Sequence, residues 1–139
     1  MENQTATGSP FSSLGQSGVK ANRDLETFKA PDGLRRVICT SDEVTALCPV
    51  TGQPDFYRVE IDYTPLERCI ESKSLKLYLQ SFREEGTFGE ALAVRIADDL
   101  FKALEPARVV VAVIQKPRGG IGIESRATRG GILNLGGGG

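Results

Sequence analysis

The chain has no histidine and no tryptophan, a single methionine and three cysteines among 139 residues. Without histidine, a Ser/His/Asp triad, a papain-like Cys/His pair and any histidine-ligated zinc are excluded. Acid–base chemistry is left to Asp, Glu, Lys, Tyr or Cys. The cysteines, Cys39, Cys48 and Cys69, stand 9 and 21 residues apart, with no C-x-x-C pair and no fourth thiol. Neither a four-thiolate zinc ribbon nor an iron–sulfur site fits that spacing, so no metal is expected and at least one thiol stays free. Long apolar runs are missing too. The largest, Val109 to Ile114, is far too short to span a bilayer, so no membrane association is expected. Charge of one sign is also lacking: a net charge of -1 gives no global field for nucleic acid, and no direct nucleic-acid partner is expected. Met1 to Gly18 has neither a basic start nor an apolar stretch before a small-residue cleavage site, so no secretory leader and a cytoplasmic location are expected.

What is present is the composition of one ordinary globular domain, 40% hydrophobic and 25% charged, long enough to bury a core without staples. Residues 1–24 are rich in Ser, Thr, Gly, Gln and Asn and read as a disordered arm; residues 129–139 read as a flexible Gly-rich tail. The single domain between them spans residues 25–128.

Within that domain the hydrophobic period changes twice. Leu34 to Thr40 is a first strand candidate, and Phe56 to Tyr63 alternates in a period of two. From Glu71 the period becomes helical: Leu75, Tyr78, Leu79 and Phe82 form an apolar stripe, predicting a helix that ends near Gly86. A second helix is predicted from Phe88 to Leu104, with Thr87 and Glu90 as a capping box, a core face of Ala93, Ile96, Leu100 and Leu104, and Pro106 as its stop. The β-branched run Val109 to Ile114, a Pro117-Arg118-Gly119-Gly120 hairpin turn and a strand from Ile121 to about Arg126 complete the pattern. The order ββααββ predicts an α+β fold, an antiparallel sheet with both helices on one face. Its open edges predict assembly into a closed oligomeric barrel.

The segment Ser41 to Asp55 reads as a long connection, and such connections often carry function. It holds a thiol, Cys48, and a carboxyl, Asp55, seven residues apart with two prolines and a glycine between them. They read first as a small buried cysteine with a turn aspartate, and second as a reactive pair converging on one substrate atom. An unperturbed thiol is only about 3% ionised at neutral pH. A reactive Cys48 therefore needs a neighbour that favours the thiolate, and Lys73 and Lys76 are candidates. For Asp55 to donate a proton its affinity for that proton has to rise, which burial without a cationic partner can supply. Lys73, Lys76 and Arg83 on one helical face read either as a solvated surface or as a phosphate site. Glu90 reads as a cap or as a ligand-binding carboxylate. The stretch Gly120-Ile121-Gly122-Ile123-Glu124-Ser125 lacks the last glycine of a dinucleotide fingerprint and precedes no helix, and no Walker A loop is present.

Three blocks taken together resemble one family: Leu47-Cys48-Pro49-Val50-Thr51-Gly52-Gln53-Pro54-Asp55-Phe56; Glu71-Ser72-Lys73-Ser74-Leu75-Lys76-Leu77-Tyr78 with Ser81-Phe82-Arg83; and Pro117-Arg118-Gly119-Gly120-Ile121. They look like the NADPH-dependent 7-cyano-7-deazaguanine reductases, the nitrile reductases of queuosine biosynthesis, in their short single-module form. The resemblance implies a tunnelling fold whose subunits close into barrels, two stacked pentamers in the short form, with active sites between subunits. It implies that Cys48 adds to the nitrile carbon of a 7-deazapurine to give a thioimide, that Asp55 supplies the proton, and that two NADPH deliver the hydrides. Lys73 and Lys76 would meet the NADPH phosphates; Ile70, Glu71, Ser72, Gly89 and Glu90 would form the substrate pocket. One departure stands out: relatives usually carry a His where this chain has Gly89. Two alternatives accompany the resemblance, an amidinotransferase-like relative, which lacks the Glu71 to Lys76 segment, and a purine-like ligand binder that does not turn over.

Overall fold

The computed structural model describes residues 23–131. The arm expected over residues 1–24 and the tail expected over residues 129–139 therefore lie largely outside the described residues, but their inner ends do not. Arg23 is fixed: its guanidinium donates to the Ser81 hydroxyl at 2.7 Å and to Glu85 at 2.6 Å, and it lies 4.1 Å over the Phe82 ring. At the other end Arg129 pairs with Asp98 at 2.6 Å, so the last strand outruns its expected end near Arg126.

The elements are β1 (Thr27–Lys29), β2 (Val37–Leu47), β3 (Pro54–Thr64), β4 (Arg68–Ile70), α1 (Ser72–Gln80), α2 (Gly89–Leu104), β5 (Arg108–Arg118) and β6 (Ile121–Gly130). Strands β2, β3, β5 and β6 form an antiparallel sheet in that order, which is the expected ββααββ α+β arrangement, while β1 and β4 pair in a second sheet of two. At three residues each, β1 and β4 are too short to show a period. Strand β3 carries the expected alternation: Tyr57, Val59, Ile61 and Tyr63 are buried in one cluster with residues of both helices, and Phe56, Arg58, Glu60 and Asp62 face the other way. That second face is polar, with Arg58 bonded to Asp42 and Glu60 and Arg36 to Asp62. Among the described residues no helix is long and apolar enough to cross a membrane.

Two differences from the sequence reading shape the site. Strand β2 does not stop at Thr40 but continues to Leu47 across a bulge between Ser41 and Val44, which absorbs Asp42 and Glu43. The long connection shrinks to the six residues 48–53. Helix α1 ends at Gln80, and single turns lead on to Glu85. There the backbone is stitched to the end of β2: the Leu47 N–H donates to Glu85 O at 2.9 Å and the Thr87 N–H to Leu47 O at 3.0 Å. This pair of bonds sets the start of α2 beside the Cys48 turn.

Candidate active site

The turn at residues 48–53 is closed by its own backbone. The Cys48 N–H donates to Gln53 O and the Gly52 N–H to Cys48 O, both at 2.8 Å, and Gly52 takes a φ of 74° that favours glycine. The Cys48 thiol is held below its ordinary pKa by hydrogen bonds from the Thr51 backbone and hydroxyl and from the Val50 backbone, against the opposing charge of Asp55. The lysines expected to do this play no part; the turn itself favours the thiolate. Cys39 is the contrast, its thiol pushed up by burial and by Cys69.

Asp55 lies opposite Ala46 near the start of β3 and is 4% exposed. The expectation of burial without a cation is met only in its first half, because the Arg118 guanidinium donates to the Asp55 carboxylate. Arg118 comes from the β5–β6 hairpin, where Gly119 and Gly120 both take positive φ, the conformation a tight primed turn demands. The sequence reading treated that turn as a plain hairpin and missed its arginine. The signal was present, since a hairpin joining β5 to β6 must place its tip at one end of the sheet.

Helix α2 starts at Gly89, and Phe88 is its N-cap with no side-chain cap bond; the Thr87 hydroxyl instead donates to Phe88 O at 3.2 Å. The expected capping box is absent. Phe88, not Thr87, occupies the cap position, so Thr87 is one residue too early to reach the first turn. Glu90 is thereby left exposed in that turn, where the helix dipole favours a carboxylate. Gly89 is buried, and a Cβ there would lie 3.1 Å from Tyr57 Cε1 and 3.7 Å from its hydroxyl.

Tyr57 completes the cluster. It is wholly buried, its acidity is pushed down to a pKa of about 12 by burial first and then by the charges of Asp55, Glu90 and Cys48, and its hydroxyl has no hydrogen-bond partner. The sequence reading had it only as one member of the alternating run from Phe56 to Tyr63. The clue was its spacing, because residues 55 and 57 share one face of a strand.

The remaining expected site residues sit elsewhere. Glu71 caps α1, accepting from the Lys73 N–H at 2.9 Å and the Ser74 N–H at 2.7 Å, and these bonds hold its carboxyl below the usual range. Ile70, Ser72 and Lys76 line a cavity of about 630 Å³ shared with Cys39, Tyr63 and Cys69 and not with Cys48, Asp55 or Glu90. Lys73 and Lys76 are exposed on α1 and form no ion pair with another described residue. Unpaired ammonium groups on an exposed helix suit the phosphates of a dinucleotide, so these residues fit NADPH.

The fold and this site define an α+β protein with a thiol–carboxylate pair at one end of an antiparallel sheet. A family model described as QueF-like protein matches residues 54–131, more than half of the chain. The NADPH-dependent 7-cyano-7-deazaguanine reductase of Frankia casuarinae is 48% identical over 115 residues, covering 83% of this chain and 92% of the relative. The enzyme of the same name from an Anaeromyxobacter species is 50% identical over 105 residues, covering 74% and 86%. Among solved structures, the archaeosine synthase QueF-Like in its apo form superposes with a TM-score of 0.68 at 25% identity, over 76% of this chain and all of that one. The chain belongs to the QueF-like family.

Proposed function

We propose that this chain reduces the nitrile of 7-cyano-7-deazaguanine to the primary amine, 7-aminomethyl-7-deazaguanine, with two NADPH, in queuosine biosynthesis in the cytoplasm. The observation that carries the reading is a thiol held in favour of its thiolate beside a buried carboxylate, in a chain about half identical to reductases of that name. The reductases match at 48% and 50% identity and the archaeosine synthase structure at 25%, and Glu71 to Lys76 match the expected cofactor segment, so reduction is favoured over the amidinotransferase-like alternative.

Each step then falls to a residue. The Cys48 sulfur adds to the nitrile carbon, a C–S bond forms and one C–N π bond breaks, leaving a thioimide. The carboxylate of Asp55 can receive the thiol proton and pass it to the nitrile nitrogen, so the addition leaves no net charge behind. Arg118 steadies that carboxylate between transfers. Bound NADPH supplies the hydrides. Lys73 and Lys76 hold its phosphates as point cations, and Glu90 accepts from the N–H edge of the deazapurine.

Ile70, Ser72 and Lys76 line a cavity that Cys48 does not, and β2 and β6 are the outer strands of the sheet. In our reading, supported by that separation and by the family resemblance, the full pocket is built between subunits, Ile70 to Lys76 of one chain completing the Cys48, Gly89 and Glu90 cluster of another, in a homodecamer of two pentamers. The test is intact-mass analysis after mixing with the nitrile. The expected result is a gain of one substrate mass on Cys48, absent in Cys48→Ala and discharged as the amine when NADPH is added. A chain that takes up no mass and makes no amine contradicts the reading.

A further inference from the structure

We infer that the Tyr57 hydroxyl is a substrate-contacting group of this site, donating a hydrogen bond to the nitrile nitrogen and to the imide nitrogen that thiol addition leaves, from a position that exists because residue 89 is glycine. The inference rests on the reading above and adds a residue to it.

The chain's three tyrosines are all buried, and two of their hydroxyls are already used. Tyr63 accepts from the Ile70 N–H at 3.0 Å, and Tyr78 donates to Asp99 at 2.6 Å. Tyr57 alone, among the described residues, has a buried side-chain polar atom with no partner. A phenylalanine would fill the same space without leaving a buried hydroxyl unsatisfied, which is unfavourable in the folded state. The oxygen therefore adds nothing to the free chain. It adds something only if a ligand meets it.

Its surroundings identify that ligand's complementary atom. The charged groups acting on Tyr57 are Asp55, Glu90, Cys48 and Arg118, which include the nucleophile and the acid. Asp55, Glu90 and a Cys48 thiolate are acceptors, so the cluster is short of donors beyond Arg118. The substrate atom that lies next to both the attacked carbon and the proton source is a nitrogen with a lone pair. With its pKa at about 12, the phenol stays protonated at neutral pH and acts as a fixed donor rather than as a proton carrier.

Gly89 makes the arrangement possible. A Cβ at position 89 would meet the Tyr57 ring at 3.1 Å, so even the smallest side chain there requires the ring to give by a few tenths of an ångström, and a larger one presses further on the phenol. The ring and the glycine form a matched pair, and the phenol fills the volume next to Glu90 that a larger residue at position 89 would claim.

The experiment uses the full chain with 7-cyano-7-deazaguanine and NADPH. Tyr57→Phe is expected to keep or raise thermal stability while slowing adduct formation on Cys48 and lowering kcat by about five- to tenfold, a combination that a purely structural tyrosine does not give. Gly89→His alone is expected to lower the rate, whereas the same substitution in a Tyr57→Ala background raises it above Tyr57→Ala. An active wild type whose adduct rate and kcat are untouched by Tyr57→Phe overturns this assignment alone, as does a rate gain from Gly89→His alone. A well-folded wild type that neither forms the adduct nor oxidises NADPH overturns the proposed function and this assignment with it.

Discussion

The two ends of strand β3 carry the same residue type in the same degree of burial and use it differently. At one end Tyr63 is wholly buried and its hydroxyl accepts the Ile70 N–H, fastening β4 to the sheet. At the other end Tyr57 is as deeply buried, and its hydroxyl bonds to nothing described. The thiols differ in the same sense: Cys39, paired across from Ile61, is pushed up by burial, while Cys48 at the sheet's other end is held down by the N–H groups of its turn. Where polar atoms are consumed by the fold, the region is scaffold. Where they stay unpaired, or are biased toward a reactive form, the region is prepared for a ligand.

Four substitutions sharpen that contrast. The largest effect is expected from Cys48→Ala, which should abolish the nitrile adduct and cut turnover by a factor of at least about 10³, measured by intact mass and NADPH oxidation. Next, Tyr63→Phe should destabilise the chain by about 1–3 kcal/mol in denaturant unfolding, because it leaves a buried Ile70 N–H without its acceptor. Tyr57→Phe should not destabilise at all, and equal losses from the two would erase the distinction. Arg118→Met should cost about 1–2 kcal/mol, less than for a fully buried pair because Arg118 is 48% exposed. It should also slow adduct formation.

The smallest effect concerns pH. A thiol with a lowered pKa reacts as the thiolate from a lower pH upward, so iodoacetamide should modify Cys48 at pH values where Cys39, with a raised pKa, stays inert. Thr51→Val removes one hydrogen bond that favours the thiolate and so moves the Cys48 profile toward higher pH. The rate at neutral pH should fall about two- to fivefold and recover in alkaline solution, where both forms are thiolate. A profile that does not move would show that the Thr51 hydroxyl is not one of the groups holding the thiol down.

Much of this was legible before the structure. The alternation of residues 56–63 and the stripe through Leu75, Tyr78, Leu79 and Phe82 follow from burial on one side of an element, a local pattern that the sequence prints directly. The helix stop at Leu104 was legible for the same reason, with Glu105 in the left-handed region and Pro106 behind it. What was hidden depends on contacts between distant segments. The polar run Ser41-Asp42-Glu43 looks like a loop but is a bulge held in the sheet by β3. The Thr87–Glu90 spacing fits a capping box, yet the bonds tying residues 85 and 87 to Leu47 put Phe88 at the cap instead. Arg118 reaches Asp55 across 63 positions of chain, a pairing no local window contains. Cys48 and Asp55 were candidates from their chemistry alone; Tyr57 was not, because an aromatic residue in an alternating strand looks like core until its hydroxyl is seen without a partner.

The central claim is that the Cys48 end of the sheet performs a four-electron reduction. Its most direct test is a titration of the chain with 7-cyano-7-deazaguanine in the presence of excess NADPH, following absorbance of the cofactor and the amine together. Two NADPH consumed for each 7-aminomethyl-7-deazaguanine formed is the predicted result, and a well-folded chain that forms the Cys48 adduct but oxidises no NADPH would contradict it.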